Sequence, residues 1–533
     1  MLQPNIIFSE PPIVGRAALH EVAVRLHEND DVAIAKTELA GGTTLVLNGA
    51  SNAVTVRQFV PPGHKIALRS IDPGDAVRRY GNVIGFAKQP IAAGEHVHTH
   101  NLGFHEFQRN YQVGRAAHPV GNMRPEERRT FMGYRRANGK VGTRNYIAVI
   151  STVNCSAHTA RAITHHFTPE RLAAYPNVDG VIALTHSLGC AEEVGEASYH
   201  LLQRTLAGMA RNPNVGAYIL VGLGCEVNQV GDLVHNYNMA RNGHGDFDER
   251  APLLTIQDEG GIRKTVAAGV AAVEALLPHV DQAVRTPQPL SELMIALQCG
   301  GSDGWSGVTA NPVLGLAADE VVRQGGTVIL SETPEIYGAE HLLTRRAISP
   351  AVAEELVSLV RWWEEHARAN GIELDGNPSP GNKAGGLTTI FEKSLGAVAK
   401  GGSTPLMAVY RYAEPVTAHG LVFMDTPGYD PVSATGQVAG GANLVAFTTG
   451  RGSVFGFKPA PSIKIATNSA MHRRMADDMD IDAGRVLAGA SLQEVADELL
   501  ELIVAVASGQ PSKSEAQGVG EAEFNPWRIG VTL

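Results

Sequence analysis

Residues 146–166 read Tyr-Ile-Ala-Val-Ile-Ser-Thr-Val-Asn-Cys-Ser-Ala-His-Thr-Ala-Arg-Ala-Ile-Thr-His-His. The apolar run Tyr146–Ser151 has the length of a buried strand, Thr152–Ser156 is a polar loop of small residues, and Ala157–His166 is helix-like. Strand runs recur at Gly180–Leu184 and Gly216–Gly222, with a second helical stretch, Glu193–Ala210, between them. Strand, helix, strand in this order predicts βα units and a parallel sheet.

Working outward, the polar, proline-bearing stretch Asp281-Gln-Ala-Val-Arg-Thr-Pro-Gln-Pro289 marks a boundary. Beyond it, strand runs at Leu293–Leu297, Thr327–Leu330, Leu406–Tyr410, Leu421–Met424, Leu444–Thr448 and Ile463–Ala466 accompany helices near 312–324, 350–369 and 492–508. They predict a second α/β domain. Upstream the pattern changes to short β-like runs: Val32–Ala35, Thr44–Leu47, His64–Leu68, Val83–Phe86 and Glu95–His100. Turn signals such as Asp72-Pro-Gly74 separate them, as in a small all-β unit. Residues 103–130 lose periodicity and gain charge, the pattern of an extended linker. The predicted division is an all-β domain (1–104), a linker (105–130), a middle α/β domain (131–287) and a C-terminal α/β domain (288–533).

Composition narrows the function classes. The 533 residues are 44% hydrophobic and 18% charged, which is globular composition long enough for two to four domains. A net charge of −10 spread along the chain argues against a nucleic-acid or anionic-membrane surface. Four cysteines are too few for a disulfide framework and fit a reduced cytoplasmic setting. The N-terminal MLQPNIIFSEPP lacks the order of a signal peptide. No apolar run approaches the roughly 20 residues of a membrane span.

Chemistry gathers after the strands. Thr152–Ser156, Thr185–Cys190, Gly222–Glu226, Gln298–Asp303, Ser331–Glu335, Asp425–Gly428 and Thr448–Gly452 are polar, small-residue loops. In open parallel sheets, ligands bind beyond the carboxyl ends of the strands. All four cysteines, Cys155, Cys190, Cys225 and Cys299, fall in these loops. No CxxC pair occurs, which excludes a zinc ribbon. Ligands supplied one per loop suit either a single iron or an iron–sulfur cluster.

In the N-terminal unit, His96, His98 and His100 alternate with Glu95, Val97 and Thr99, which on a strand puts the imidazoles on one face. Such a face binds a metal or a carboxylate, although for His96 a solvated strand surface is the expectation. His64 and Lys65, after Pro61-Pro-Gly63, suit acid/base work and carboxylate binding. The loop Asn377-Pro-Ser-Pro-Gly-Asn-Lys-Ala-Gly-Gly386 offers Lys383 to an anion at a helix start, without the GxxxxGK[ST] of a P-loop. Arg451, in Thr449-Gly-Arg-Gly452, suits a bidentate carboxylate contact.

At these residues the chain resembles the altronate/galactarate dehydratase family. The motifs are Gly133-Tyr134, Gly142-Thr-Arg-Asn145, Tyr175–Gly180, Gly222–Glu226, Gln298–Asp303, Ser306–Pro312, Asn377–Gly386, Thr449–Gly452 and Asp480–Gly484. Gly63-His-Lys65, Arg79-Tyr-Gly81 and Gly94–Asn101 resemble the family's N-terminal SAF (β-clip) domain. The resemblance covers nearly the whole chain. It implies a dimerising middle domain, a Rossmann-like C-terminal domain, and loss of water from a sugar acid to give a 2-keto-3-deoxy acid. It also implies dependence on iron(II), with Mn(2+) or another divalent metal as a substitute, and a homodimer or higher homo-oligomer. A related branch is similar to sulfolactate sulfo-lyases.

On that basis the metal is expected among Cys155, His186, Cys190 and Cys299, with Cys225 nearby. His64, Lys65, His98 and His100 are the expected acid/base groups, and Asp303, Asn382, Lys383 and Arg451 the expected substrate contacts. The His-rich strand and the ending Glu523-Phe-Asn-Pro-Trp527 resemble the altronate side, favouring a monocarboxylic sugar acid over an aldarate. A nicotinamide-dependent oxidoreductase is disfavoured because no GxGxxG follows a strand with an acidic residue about 20 positions on. A regulatory sugar-acid-binding protein is disfavoured by thiols that binding alone does not need.

Overall fold

The computed structural model describes residues 13–47, 53–107, 109–190, 192–242, 244 and 250–529. The N-terminal stretch read above against a signal peptide lies outside them. Among the described residues no helix is long and apolar enough to cross a membrane.

The N-terminal region is β-rich. β1 (Ala23–Val24), β2 (Val32–Ala35), β3 (Lys65–Ala67) and β6 (His96–Val97) form an antiparallel sheet in that order. β7 (Leu102–Gly103), β5 (Asn82–Ala87) and β4 (Ala76–Arg79) form a second. Ile66, Ala33, Leu45 and Val60 close the core of the first. The expected strand Glu95–His100 is only two residues long, because Asn101 bends the chain. The buried Asn101 side chain accepts from the His98 N–H (2.9 Å) and donates to the His96 carbonyl (2.9 Å). A period-2 reading therefore fails after Val97.

Residues 105–107 and 109–130 are largely irregular backbone laid on the C-terminal region. Gly114 and Ala116 donate to the carbonyls of Thr344 and Arg345, and Arg109 pairs with the buried Glu340.

The middle region is a four-stranded parallel sheet, ordered β9 (Gly180–Leu184), β8 (Tyr146–Ser151), β10 (Val215–Gly222), β11 (Leu253–Thr255). Strand alternation sends Ile147 and Val149 to one face, where helices α1 (Ala157–Thr164) and α3 (Ile262–Val280) pack through Ile163, Val273 and Leu277. Tyr146, Ala148 and Ile150 face the other side and α2 (Ala197–Ala210).

The C-terminal region carries a seven-stranded parallel sheet, consistent with the Rossmann-like expectation. Its strands are β12 (Met294–Cys299), β13 (Thr327–Leu330), β14 (Leu406–Tyr410), β15 (Gly420–Met424), β16 (Leu444–Thr449), β17 (Ser462–Ala466) and β18 (Ile481–Asp482), in the order β14-β15-β13-β12-β16-β17-β18. The six longer strands match the sequence reading; β18, two residues at the edge, carried no hydrophobic run to find. Its helices include α4 (Ala310–Arg323), α5 (Pro350–Ala369), α6 (Pro380–Ala384), α7 (Ile390–Val398), α8 (Asp430–Ala439) and α9 (Leu492–Ala507). Ser349 and Ser491 cap α5 and α9 by accepting from Val352 and Glu494 N–H groups, which fixes where those helices start.

The two α/β regions share a core. Leu202 and Leu206 of α2 lie in one apolar cluster with Val432 and Val438 of α8. Gly208 permits the approach, since a Cβ there would sit 2.3 Å from the Ala439 carbonyl oxygen. The N-terminal region is clamped to the C-terminal one through α7, all nine of whose residues are buried.

Candidate functional site

Strand order reverses between β12 and β16, and this is where an open parallel sheet leaves a crevice. Gly300–Asp303 follows β12 and Gly450–Gly452 follows β16. Gly450 is required here, because a Cβ would lie 2.2 Å from Asp303 Cγ. The Asp303 carboxylate accepts from Trp305 N–H (3.0 Å), Ser306 Oγ (3.1 Å) and Thr467 Oγ1 (2.9 Å). Asn382 forms a capping box with Ser379 and donates to the Ser302 carbonyl (2.7 Å). Both expected substrate contacts are thus committed to holding the loops together, and both are buried.

Arg451 and Lys383 differ. Arg451 is half-buried, and its Cδ passes within 3.3 Å of where a Gly385 Cβ would be. Lys383 lies in the last turn of α6, not at a helix start as the sequence suggested. Among the described residues, neither side chain has a hydrogen bond or ion pair. Arg451 is thus an uncommitted cation whose charge reaches His64, whereas the charge of Lys383 acts on Asp375.

Facing Arg451 is the histidine edge of the N-terminal sheet. His64, His96 and His98 bring ligand atoms within 4.8 Å of one another. His64 Nδ1 lies 3.0 Å from His96 Nε2, and His64 Nε2 lies 3.3 Å from the Ala384 carbonyl of α6. His96 is therefore not on a solvated strand surface; the bend at Asn101 brings His98 back against it. Burial, then the Lys65 charge, lowers His64 to about 4. Burial, then neighbouring His64 and Lys65, lowers His96 and His98 to about 3. All three are neutral donors at pH 7. His100 is exposed, its ring 5.7 Å from that of His96.

Lys65, the neighbour of His64, is locked. It is fully buried and donates to Glu392 Oε2 (2.8 Å) and the Gly386 carbonyl (2.6 Å). Arg79 binds the other oxygen of Glu392 at 2.7 Å. Burial by itself raises a carboxyl, but Lys65 and Arg79 outweigh it and hold Glu392 at about 2. Lys65 thus anchors the histidine sheet to α7 and is not placed as a free acid or base.

One residue further along α7, Lys393 leads into a second cluster. It donates to Glu335 Oε1 (2.5 Å), while Lys400 donates to Cys299 Sγ (2.8 Å) and lies 3.5 Å from Glu332 Oε2. Cys299, Glu332 and Glu335 also lie within 4.8 Å of one another, all buried. Burial raises the Cys299 thiol to about 11 and, together with Glu335, raises Asp430 to about 7. Burial and Glu335 likewise raise Glu332, whose backbone is left-handed (φ 68°) directly after β13. Sequence reading quoted the Ser331–Glu335 loop without assigning its acids, and it missed Glu392, Lys393 and Lys400. A Glu-Lys pair inside an otherwise apolar helical run was the available signal.

The metal set expected from sequence does not assemble. Neither compact donor group among the described residues includes Cys155, His186 or Cys190. Cys299 is buried in the C-terminal region, whereas Cys155, Cys190 and Cys225 are exposed on the middle region. His186 is spent on backbone: Nε2 lies 2.9 Å from the Ser151 carbonyl, and Nδ1 accepts from Leu188 N–H at 3.1 Å.

Comparisons with known proteins agree along the chain. Residues 21–105 match the altronate/galactarate dehydratase SAF domain. Residues 133–281 match the second domain of D-galactarate dehydratase/altronate hydrolase, and residues 290–532 the C-terminal domain of D-galactarate/altronate dehydratase. An altronate dehydratase of Escherichia coli (strain K12) is 38% identical over 521 residues, covering 96% of this chain and 99% of that protein. An altronate dehydratase of Bacillus subtilis (strain 168) is 35% identical, with the same coverages. An L-threo-forming galactarate dehydratase of E. coli is 36% identical, covering 94% and 96%.

Proposed function

Because this chain belongs to the D-galactarate/altronate dehydratase family, we propose that it is a hydro-lyase converting a sugar acid to a 2-keto-3-deoxy acid where the histidine edge meets the C-terminal crevice. The observation that carries the site is three neutral imidazoles with the uncommitted charge of Arg451 beside them.

The imidazoles fit a divalent metal. Two nitrogens bonded to one metal at about 2.1 Å stand about 3.0–3.4 Å apart, and His64 Nδ1 and His96 Nε2 are 3.0 Å apart. The remaining nitrogen of His64 faces a backbone carbonyl, the usual support for a ligating imidazole. His98 Nδ1 is buried with no partner. The Cys299 cluster fits a metal less well, because two ammonium groups already sit on its donors. The metal, proposed as iron(II), would supply Lewis-acid polarisation of the substrate's oxygens.

The chain's own side chains do the rest. Arg451 and Lys383 receive the carboxylate. His100, exposed at the edge of the trio, takes the proton from C2 and returns it to the departing C3 hydroxyl, so that water leaves and the enol becomes the ketone. Asp303, Asn382 and Lys65 hold the loops at the distances this requires. The histidine-rich strand and the ending Glu523-Phe-Asn-Pro-Trp527 favour an aldonate such as altronate over an aldarate. The same reading carries a reducing cytoplasm, a homo-oligomer and the 1–104, 105–130, 131–287 and 288–533 division.

The test is anaerobic incubation with iron(II) and altronate, galactarate, shorter aldonates and sulfolactate, followed by a 2-keto-acid assay. Keto acid from altronate without added nucleotide is the expected result. No keto acid from any member of the panel would contradict the proposal.

A further inference from the structure

Lys400 Nζ lies 2.8 Å from Cys299 Sγ, and both side chains are buried. The contact is shorter than the 3.3 Å hydrogen bond that the exposed Cys225 Sγ receives from Gln257 Nε2. The two residues are 101 positions apart in sequence, and each sits on fixed backbone. Cys299 ends β12, in register with Thr448 of β16. Lys400 lies in the short turn Ala399–Gly401 that follows α7. Arg346 Nη1 holds this turn by donating to the Gly401 and Thr404 carbonyls (3.2 Å each). Asp319 Oδ1 accepts from Ser403 N–H (2.8 Å), and Gly402 is required beside it, because a Cβ there would lie 2.1 Å from that oxygen. The third member of the group is Glu332. Its Oε2 lies 3.5 Å from Lys400 Nζ, and neither of its oxygens has a hydrogen bond although the side chain is fully buried. Buried polar groups are ordinarily hydrogen-bonded, so an acid kept in this condition beside an amine and a thiol calls for a chemical role. The cluster reaches the surface at Asn377, which is half-buried and donates to Glu335 Oε1 (2.9 Å).

From this contact we propose that Cys299 and Lys400 form a modification site, at which a hydroperoxide such as hydrogen peroxide joins Sγ to Nζ in a covalent S–N bond. The chemistry balances in two steps. Sγ attacks one peroxide oxygen, the O–O bond breaks, and the second oxygen leaves with the thiol proton as water. Sulfur is thereby oxidised to a sulfenic acid and the peroxide is reduced. Lys400 Nζ then attacks the sulfenic sulfur and the S–O bond breaks. One ammonium proton leaves with that hydroxide as water, and another passes to Glu332 Oε2. Sulfenic acids condense with a neighbouring thiol or a backbone nitrogen. Here the other three cysteines are exposed on the middle region, and the amine of Lys400 is already in contact. Burial raises the Cys299 thiol to about 11, so it is protonated at pH 7 and the first step is slow. The bond consumes the charge of Lys400 and ties the end of β12, directly before the Gly300–Asp303 loop, to the turn after α7. A thiol reductant reverses it by attacking the sulfur and releasing the amine.

The test uses the full chain without added metal. The exposed Cys155, Cys190 and Cys225 are first alkylated in the folded protein, so that only the buried Cys299 keeps its thiol. The chain is then treated with hydrogen peroxide, digested and analysed by mass spectrometry. The expected product is a linked pair of peptides, one holding Cys299 and the other Lys400, two hydrogens lighter than their sum. Dithiothreitol should return it to the separate peptides. Because the pair is read on the unaltered chain, the outcome does not depend on the folding of a variant. Absence of the pair, Cys299 recovered as sulfinic or sulfonic acid with Lys400 free, or a pair carrying an extra oxygen atom would each overturn the proposal. Neither turnover nor bound metal is measured, so this inference and the dehydratase reading fail separately.

Discussion

The His64–His96–His98 edge and the Cys299–Glu332–Glu335 cluster each bring three ligand atoms within 4.8 Å, and consecutive residues of α7 serve them. Glu392 holds the sheet of the first through Lys65, and Lys393 neutralises the second through Glu335. Their occupancy differs. The imidazoles are uncharged, with the charges around them locked elsewhere, whereas the thiol and carboxylates already carry two lysines. Proximity of donors therefore does not define a metal site; the charge already in place does.

The largest effect that could break this contrast comes from His98→Ala. It should abolish tight divalent-metal binding and lower turnover at least about 100-fold, as measured by metal titration and the keto-acid assay. Next is Glu392→Gln, which leaves Lys65 and Arg79 buried without their counter-charge. Breaking such a pair costs about 3–5 kcal/mol, read as a lower midpoint in urea unfolding. Arg451→Ala should raise KM by roughly 10–150-fold through loss of a charge-assisted contact of about 1.5–3 kcal/mol, with kcat changing much less.

A smaller effect is expected with pH. In metal-free protein, the three histidines titrate at about 4, 3 and 3 when folded, against 6.5 when unfolded. The unfolded chain binds the extra protons, so their contribution to stability is full above pH 6.5 and is lost as pH falls towards 4 and 3. His96→Gln should flatten that slope in thermal unfolding series. The smallest effect is that of Cys299→Ser, which should leave Mn(2+) binding unchanged. Loss of Mn(2+) on that substitution would reverse the contrast.

Much of the fold was legible because its information is local. Six of the seven C-terminal strands are largely apolar runs, and all but Leu406–Tyr410 are followed by the small polar residues that a strand-end site needs. His64, His98, Lys383 and Arg451 were visible for the same reason, as chemistry standing at turns. What sequence hid is non-local. Lys65 and Glu392 are 327 residues apart, and nothing at either position announces the pair that locks the lysine. His96 was misread as solvated because the ring that covers it, His64, comes from 32 residues away. His186 looked like a ligand until its two nitrogens were found on backbone groups, and Cys299 was grouped with three thiols on a different sheet.

The most direct test of the central claim is anomalous diffraction from crystals of the full chain loaded with Mn(2+). The account predicts a manganese peak among His64, His96 and His98, within bonding distance of their ring nitrogens. A peak among Cys299, Glu332 and Glu335, with none at the histidines, would contradict it.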